Sequence, residues 1–451
     1  MPFIPHTRAD VEAMLATIGV SSPEALFDEI PQSLPRSPRG LIDAGLNEMA
    51  LTRLMKERAG RDAELVCFAG GGAYEHHIPA AVWELASRGE FYSAYTPYQP
   101  EASQGILQVF YEYQSMLSAL TGLPVANASM YDGATALVEA IRLALRQRNR
   151  ERGGRVLLPA SLVESYREVV ETLLSAQGVT LEYLPWDERG GGLDTGGVSG
   201  EVDVLVVAQP NGLGIVEEVD TLVDRGHGLG ALVVALINPV AMGLLKPPGE
   251  WGRKGADVAC GEGQPLGVPL SSGGPYFGFI CCQKELVRQL PGRVVGRTVD
   301  RNGRGGFVLT LQTREQHIRR AKATSNICTN QGLLAIASAI HMSLLGPRGL
   351  KEVALACHAN TRRLLDGLTA LPGVSRVLSG PFFHEGLIRL PSGRLKPLLE
   401  HLRGRGILGG VSQDRRGAGF EDTLLVCATE TRTAAEIEQY IQAVGAFLKG
   451  S

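Results

Sequence analysis

The sequence predicts an α/β protein, with a mostly parallel central sheet in a large domain and a smaller α/β domain at the C-terminal end. Three observations carry this. Between about residues 64 and 260, strand-like and helix-like runs take turns. Several strand-like runs, such as VDVLVVAQ (202–209) and ALVVALI (231–237), are apolar on both faces, as in strands covered on each side by helices. The chain has 451 residues, more than one small core organises, so two or three domains are expected.

The elements follow in order. Residues 1–60 read as an N-terminal helical arm. Thr7-x-x-Asp10 is a capping-box pattern ahead of a helix ending near Gly19, and Ser22-Pro23 opens a second helix. PQSLPRSPRG (31–40) reads as a linker, and a further helix lies around 41–60. Residues 61–310 form the large domain, beginning with the strand LVCFAGG. In EASQGILQVFYEYQSMLSALTG (101–122), Ile106, Phe110, Tyr113, Leu117 and Leu120 make one apolar stripe of a helix that Gly122 stops. VANAS, ATALVEAIRLALR, RVLLPA, ESYREVVETLLSA, VTLEYLP, VDVLVVAQ, VEEVDTLVDR and ALVVALI then alternate as strands and helices, with two strands adjacent before VEEVDTLVDR. Residues 311–451 form the small domain. It starts with two helical stretches, QGLLAIASAIHMSLL and KEVALACHANTRRLLDGLTA. Paired strands VSRVLSG and EGLIRLP follow, then a helix at PSGRLKPLLEHLRG, the strand TLLVCAT, and a last helix opened by Thr433-x-x-Glu436 and running to Lys449.

Composition narrows the function. Charged residues make up 20% and the net charge is −3, which gives no electrostatic reason to expect nucleic acid or an anionic membrane. The most apolar windows are shorter than the roughly 20 residues of a membrane span, and the N-terminus lacks an apolar signal core. Seven scattered cysteines without a CxxC pair read as reduced core thiols in a cytoplasmic protein, not as a disulfide framework or zinc site. Adjacent His76 and His77 would point to opposite faces of a strand and read as structural; no metal is expected. FAGGGAYEHH (68–77) is not GxGxxG, and neither GxxxxGK[ST] nor GxSxG occurs. A dinucleotide site, a P-loop ATPase and a hydrolase elbow are excluded.

In a parallel sheet, ligands sit beyond the carboxyl ends of the strands. NASMYDGATA (127–136) falls there. Its small residues at a helix start would favour an anion such as phosphate, unless Asp132 caps the helix; both readings stand. YSAYTPYQPEASQG (92–105) sets tyrosines in a proline-stiffened loop, suited to an interface or a site. RAKATSNICTNQ (320–331) packs hydroxyls and amides beside basic residues, as an anion site or a polar linker would. The last is GADVACGEGQPLGVPLSSGGP (255–275), an apolar run entering a loop rich in Gly and Pro.

Together these stretches resemble glycine decarboxylase, the P-protein of the glycine cleavage system, over nearly the whole chain. The resemblance rests on FAGGGAYEHHIP, YTPYQPEASQGILQVFYEYQSMLSALTGLPVANASMYDGATA, LLKPPGEWG, GEGQPLGVPLSSGGPYFGF, QLPGRVVGRTVD and REQHIRRAKATSNICTNQ. The length and sequence details look like subunit 1, the α subunit, of the two-subunit form. The resemblance implies an aspartate aminotransferase-like fold, pyridoxal phosphate fold type I. It also implies the reaction: glycine is bound as an aldimine of pyridoxal phosphate (PLP), CO2 leaves, and the aminomethyl group passes to the lipoyl arm of the H-protein. Subunit 2 (the β subunit), the lipoylated H-protein and, indirectly, the T- and L-proteins are the implied partners, in a cytoplasmic assembly that is either a heterodimer or a dimer of heterodimers (a heterotetramer).

Two positions depart from the chemistry of that fold. Gln264 stands nearest the expected cofactor lysine, and an amide nitrogen cannot form the imine. Asn238 stands where an aspartate would face the pyridine nitrogen. Lys254 precedes the strand, Lys246 lies earlier and Lys284 follows the next strand. No catalytic residue is therefore expected in this chain, and PLP is expected covalently on the partner subunit. Thr324, Ser325 and Asn326 match the region that reaches the neighbour's phosphate, and Tyr95, Tyr98 and Gln99 are candidate walls of the glycine pocket. Two alternatives are a self-sufficient PLP decarboxylase or desulfurase using another lysine, and a non-catalytic scaffold that docks the H-protein.

Overall fold

Apolar strands buried on both faces make the central sheet. The computed structural model describes residues 5–31, 33–34, 44–62, 64–150 and 153–450. It divides into two units, Met1–Ala63 and Glu64–Ser451.

In the first unit, helix Arg8–Ile18 begins at the expected capping box, with Thr7 N donating to the Asp10 carboxylate at 2.7 Å. Pro23–Phe27 is a short 3-10 turn, and Glu48–Ala59 is a helix capped by Asn47. None of these three elements buries a residue within the unit. Most of the expected linker at 31–40 lies outside the described residues.

The second unit is built on a seven-stranded sheet. In chain order its strands are β1 (Val125–Ala126), β2 (Arg155–Pro159), β3 (Thr180–Leu184), β4 (Val204–Gln209), β5 (Leu232–Ile237), β6 (Val258–Glu262) and β7 (Gly278–Cys282). They lie in the order β1-β7-β6-β5-β4-β2-β3. β2 to β6 run parallel, whereas β7 runs against both of its neighbours. Every residue of β4, β6 and β7 is buried. Each such Val, Leu or Ile contributes about 1.5–3 kcal/mol of burial. Side chains alternate between the faces, so Val204 and Val206 join one apolar core and Leu205 and Val207 the other.

Helices α1 (Gln104–Thr121), α2 (Gly133–Gln147), α3 (Glu164–Leu174) and α4 (Val219–Gly228) cover the sheet. The stripe read from sequence on α1 is buried at Ile106, Phe110, Tyr113 and Leu117; Leu120 is only partly covered. A hairpin of β8 (Val294–Val299) and β9 (Gly305–Thr310), which the periodicity did not disclose, follows the sheet. The two helical stretches expected after residue 331 form one long element, α5 (Gly332–Thr369), kinked at Gly346 (φ 61°) ahead of Pro347. Its length and apolarity would suit a membrane span. Instead, its first half buries Leu334, Ile336 and Ala339 in the core beneath the large sheet, and its second half buries Leu364, Leu365 and Leu368 under a smaller one.

That smaller antiparallel sheet contains β10 (Ser375–Arg376), β11 (Glu385–Arg389), β12 (Val411–Ser412) and β13 (Thr423–Cys427), in the order β10-β11-β13-β12. Helices α6 (Leu395–Arg403) and α7 (Ala434–Lys449) close it. The strand read at LVCFAGG is shorter, Val66–Cys67, and pairs with Ile407–Leu408 instead of joining the large sheet. All seven cysteines are free, and among them only Cys328 is exposed.

Helix α7 is opened by a complete capping box, with Glu436 N donating to Thr433 Oγ1 at 3.2 Å and Thr433 N to Glu436 Oε2 at 2.7 Å. Thr433→Ala is expected to destabilise the chain by about 1 kcal/mol. A denaturant titration measures this, and an unchanged midpoint would show that the cap contributes nothing.

Candidate functional site

Beyond the carboxyl ends of β5 and β6 lie the two positions the sequence singled out. Gln264 is 1% exposed, and its side chain is fully engaged. Its Oε1 accepts from Tyr74 N at 2.9 Å, and its Nε2 donates to Tyr74 O and Val268 O, both at 2.8 Å. The amide therefore extends a two-way backbone pairing to the glycine-rich segment 68–77, a bond set that a lysine could not make. Asn238 Oδ1 accepts from Val240 N at 2.9 Å, and its Nδ2 lies 3.1 Å from Nε2 of buried His384. Burial pushes the His384 pKa well down, which leaves a neutral ring that accepts from the amide.

Glu262, the last residue of β6, was not singled out from sequence. Its carboxylate accepts from Gly133 N at 2.9 Å and from Gln264 N at 3.0 Å. It thus sits at the start of α2, where an anionic ligand would be favoured. Asp132 occupies the same helix start and accepts from Thr135 N at 2.8 Å. Of the two readings of DGAT, the capped helix is the one observed. The glycine is needed for close approach, because a Cβ on Gly133 would stand 2.2 Å from Tyr166 Oη and 2.7 Å from Glu262 N. Burial raises the Glu262 carboxyl to about 7, against its hydrogen bonds to Gly133 and Gln264. Glu385, likewise raised to about 7 by burial, accepts from Gly71 N at 2.7 Å and Tyr74 Oη at 2.9 Å. A Cβ on Gly70 would lie 2.2 Å from that carboxylate, which explains a glycine in FAGGG.

What remains between Asn238, Glu262, Tyr74 and Tyr166 is a cavity of about 60 Å³. Small-molecule sites run to roughly 300 Å³ or more. No lysine lines it. Lys254 is exposed in the turn before β6, Lys246 pairs with Asp220 at 2.9 Å, and Lys284 is exposed after β7.

The other candidates form a separate group at the surface. Tyr95 is 85% exposed, and Gln99 is exposed beside it. Tyr98 Oη accepts from Nη2 of buried Arg293 at 3.2 Å, and the Tyr98 ring packs at 5.5 Å on His317. Arg314 joins this loop to the second candidate stretch: its Nη2 donates to Gly292 O at 2.7 Å, and its carbonyl accepts from Thr324 N at 3.1 Å. Thr324, Ser325 and Asn326 line an open basin of about 570 Å³ together with Arg142, Arg146 and Lys322. Burial brings Arg314 down to about 10 at the edge of this basic region, with Arg146 adding to the effect. Ser325 is buried, with its Oγ accepting from Ile327 N at 3.1 Å, whereas Asn326 is exposed. The structure thus brings the stretches 92–99 and 314–326 together through Gly292-Arg293, a link with no local sequence signal.

A family model described as glycine cleavage system P-protein matches residues 1–444. A relative from Thioalkalivibrio sulfidiphilus, called a probable glycine dehydrogenase (decarboxylating) subunit 1, is 54% identical across 99% of this chain and 100% of its own. One of the same name from Methylococcus capsulatus is 55% identical across 100% of both. The crystal structure of a glycine decarboxylase (P-protein) of the glycine cleavage system, in inhibitor-bound form, superposes with a TM-score of 0.89 at 42% identity, covering 99% of this chain and 100% of that one. A glutamate decarboxylase of Lactobacillus brevis shares the fold at 13% identity and a TM-score of 0.69, over 96% of this chain and 97% of that one. The aspartate aminotransferase-like fold that the resemblance implied is the fold observed.

Two outcomes test this geometry. Gln264→Lys leaves Tyr74 N without its acceptor and is expected to cost about 3 kcal/mol. With PLP added it should still show no visible imine absorption; a yellow, borohydride-fixable variant would contradict the account of the cavity. The native state of Glu262 holds its proton up to about pH 7, against an ordinary value of 4.5. The contribution of this carboxyl to stability therefore falls as pH rises through that window and is flat outside it. Glu262→Gln should gain stability relative to the unmutated chain between those pH values, and a pH-independent difference would refute the shift.

Proposed function

The chain belongs to the glycine cleavage system P-protein family and is part of a glycine decarboxylase, and from that premise we propose that it is the subunit that holds no cofactor and completes the active site of a partner subunit. The single observation that carries this reading is the filled site at the end of β6. Its amide is committed to three backbone bonds, its helix start is taken by Glu262 and Asp132, and its cavity is about 60 Å³. These residues do not fit PLP.

In this reading the complex decarboxylates glycine and passes the aminomethyl group to the lipoyl arm of the H-protein, with PLP on the lysine of subunit 2 in the cytoplasm. This chain supplies walls. Tyr95, Tyr98 and Gln99 offer exposed aromatic and amide surface that excludes water from a facing pocket. Thr324, Ser325 and Asn326 offer hydroxyl and amide donors to a phosphate, in a basin whose arginines and lysine favour an anion.

Purified with subunit 2 and fixed with borohydride, the complex should carry the cofactor on a subunit 2 peptide. Ser325→Ala in this chain should weaken cofactor affinity about fivefold, the equivalent of one hydrogen bond. Cofactor fixed to this chain would overturn the proposal, and unchanged affinity would remove Ser325 from the site.

A further inference from the structure

We propose that His76, Cys357 and Glu430 form a binding site for one zinc-class divalent cation, at the seam between the glycine-rich segment, α5 and the smaller sheet. The sequence reading expected no metal and took His76 and His77 as structural; the three residues stand 281 and 73 positions apart. The fold brings His76 from the segment after the first strand, Cys357 from α5 and Glu430 from the loop after β13 to within 4.8 Å of one another, ligand atom to ligand atom.

The donor set suits the ion: an imidazole nitrogen, a thiol sulfur and a carboxylate oxygen are the three ligand types of zinc sites. Tetrahedral zinc, with bonds of about 2.0–2.3 Å, sets ligand atoms about 3.3–3.8 Å apart. Here His76 Nδ1 lies 2.7 Å from Glu430 Oε2, and Cys357 Sγ lies 3.2 Å from the same oxygen. Both contacts are shorter than the ligand spacing of bound zinc, so each opens by roughly half an ångström when a metal enters between the three atoms, which all lie within 4.8 Å of one another. The fourth position falls to water, as in sites with three protein ligands.

Support around the cluster is already in place. Glu430 Oε1 accepts from His77 N at 2.7 Å, which orients the carboxylate. His76 Nε2 is buried without a partner, as are Nδ1 of His341 and Nδ1 of His384, whose ring lies 6.4 Å from that of His76. Binding moves no electrons. The Cys357 thiol proton, and any proton on His76, leave to solvent as the metal–ligand bonds form.

The test uses the full chain, stripped with chelator and titrated with Co²⁺. One equivalent should produce a near-ultraviolet thiolate-to-cobalt band that Zn²⁺ abolishes, and Zn²⁺ should raise the melting temperature. The band should vanish in Cys357→Ser and persist in Cys328→Ser, which removes the exposed thiol. Glu430→Gln, which keeps the size and one acceptor, should weaken cobalt binding on the order of tenfold or more. A band that survives in Cys357→Ser overturns the proposal. So does an unmutated chain showing neither band nor melting shift, a result that needs no variant to fold.

Discussion

Much of this molecule depends on where the buried carboxylate of Glu262 and the amide beside it point. Glu262 accepts from the first N–H of α2, and its other oxygen fixes the backbone of Gln264. The Gln264 side chain then pairs with both polar groups of the Tyr74 backbone. Three segments far apart in sequence are thereby locked by hydrogen bonds in a buried region, where each omission is costly. The same lock engages the start of α2, the end of β6 and the side chain of the loop that follows it.

The glycine-rich segment 68–77 is the other beneficiary. Gln264 holds it on the large-sheet side. On the side of the smaller sheet, Glu385 receives Gly71 N, Glu430 receives His77 N, and Thr429 Oγ1 donates to Glu75 O at 2.6 Å. Gly70 allows the close approach of the Glu385 carboxylate, whereas Gly71 and Gly72 supply left-handed backbone, with φ of 80° and 119°. Burial raises Glu385, whereas Glu430, only partly buried, is drawn down to about 2 by its bonds to His76 and His77, against the cost of desolvation.

The surface has a different character. Exposed tyrosines, a buried arginine behind one of them and an open basic basin stand next to one another on the second unit. Among the described residues Tyr95 is left 85% exposed, and the one side-chain hydrogen bond of Arg293 goes to a tyrosine hydroxyl, not to an acid.

By itself the sequence determined the alternation of strands and helices, the apolar stripe on α1, the capping boxes at Thr7 and Thr433, and the want of a lysine at the end of β6. These are local or periodic signals: burial on both faces, 3.6-residue spacing, side-chain caps and residue identity. Tertiary structure alone decided the rest. It set β7 against its neighbours, moved the strand at Val66 to pair with Ile407, and chose the capped reading of DGAT. It also brought Glu262 to Gly133, Gln264 to Tyr74, and Glu430 to His76 and Cys357. Those pairs are separated by 129, 190, 354 and 73 residues, and no local pattern encodes a partner at such a distance; only the packing of the sheets brings the two ends within hydrogen-bond range.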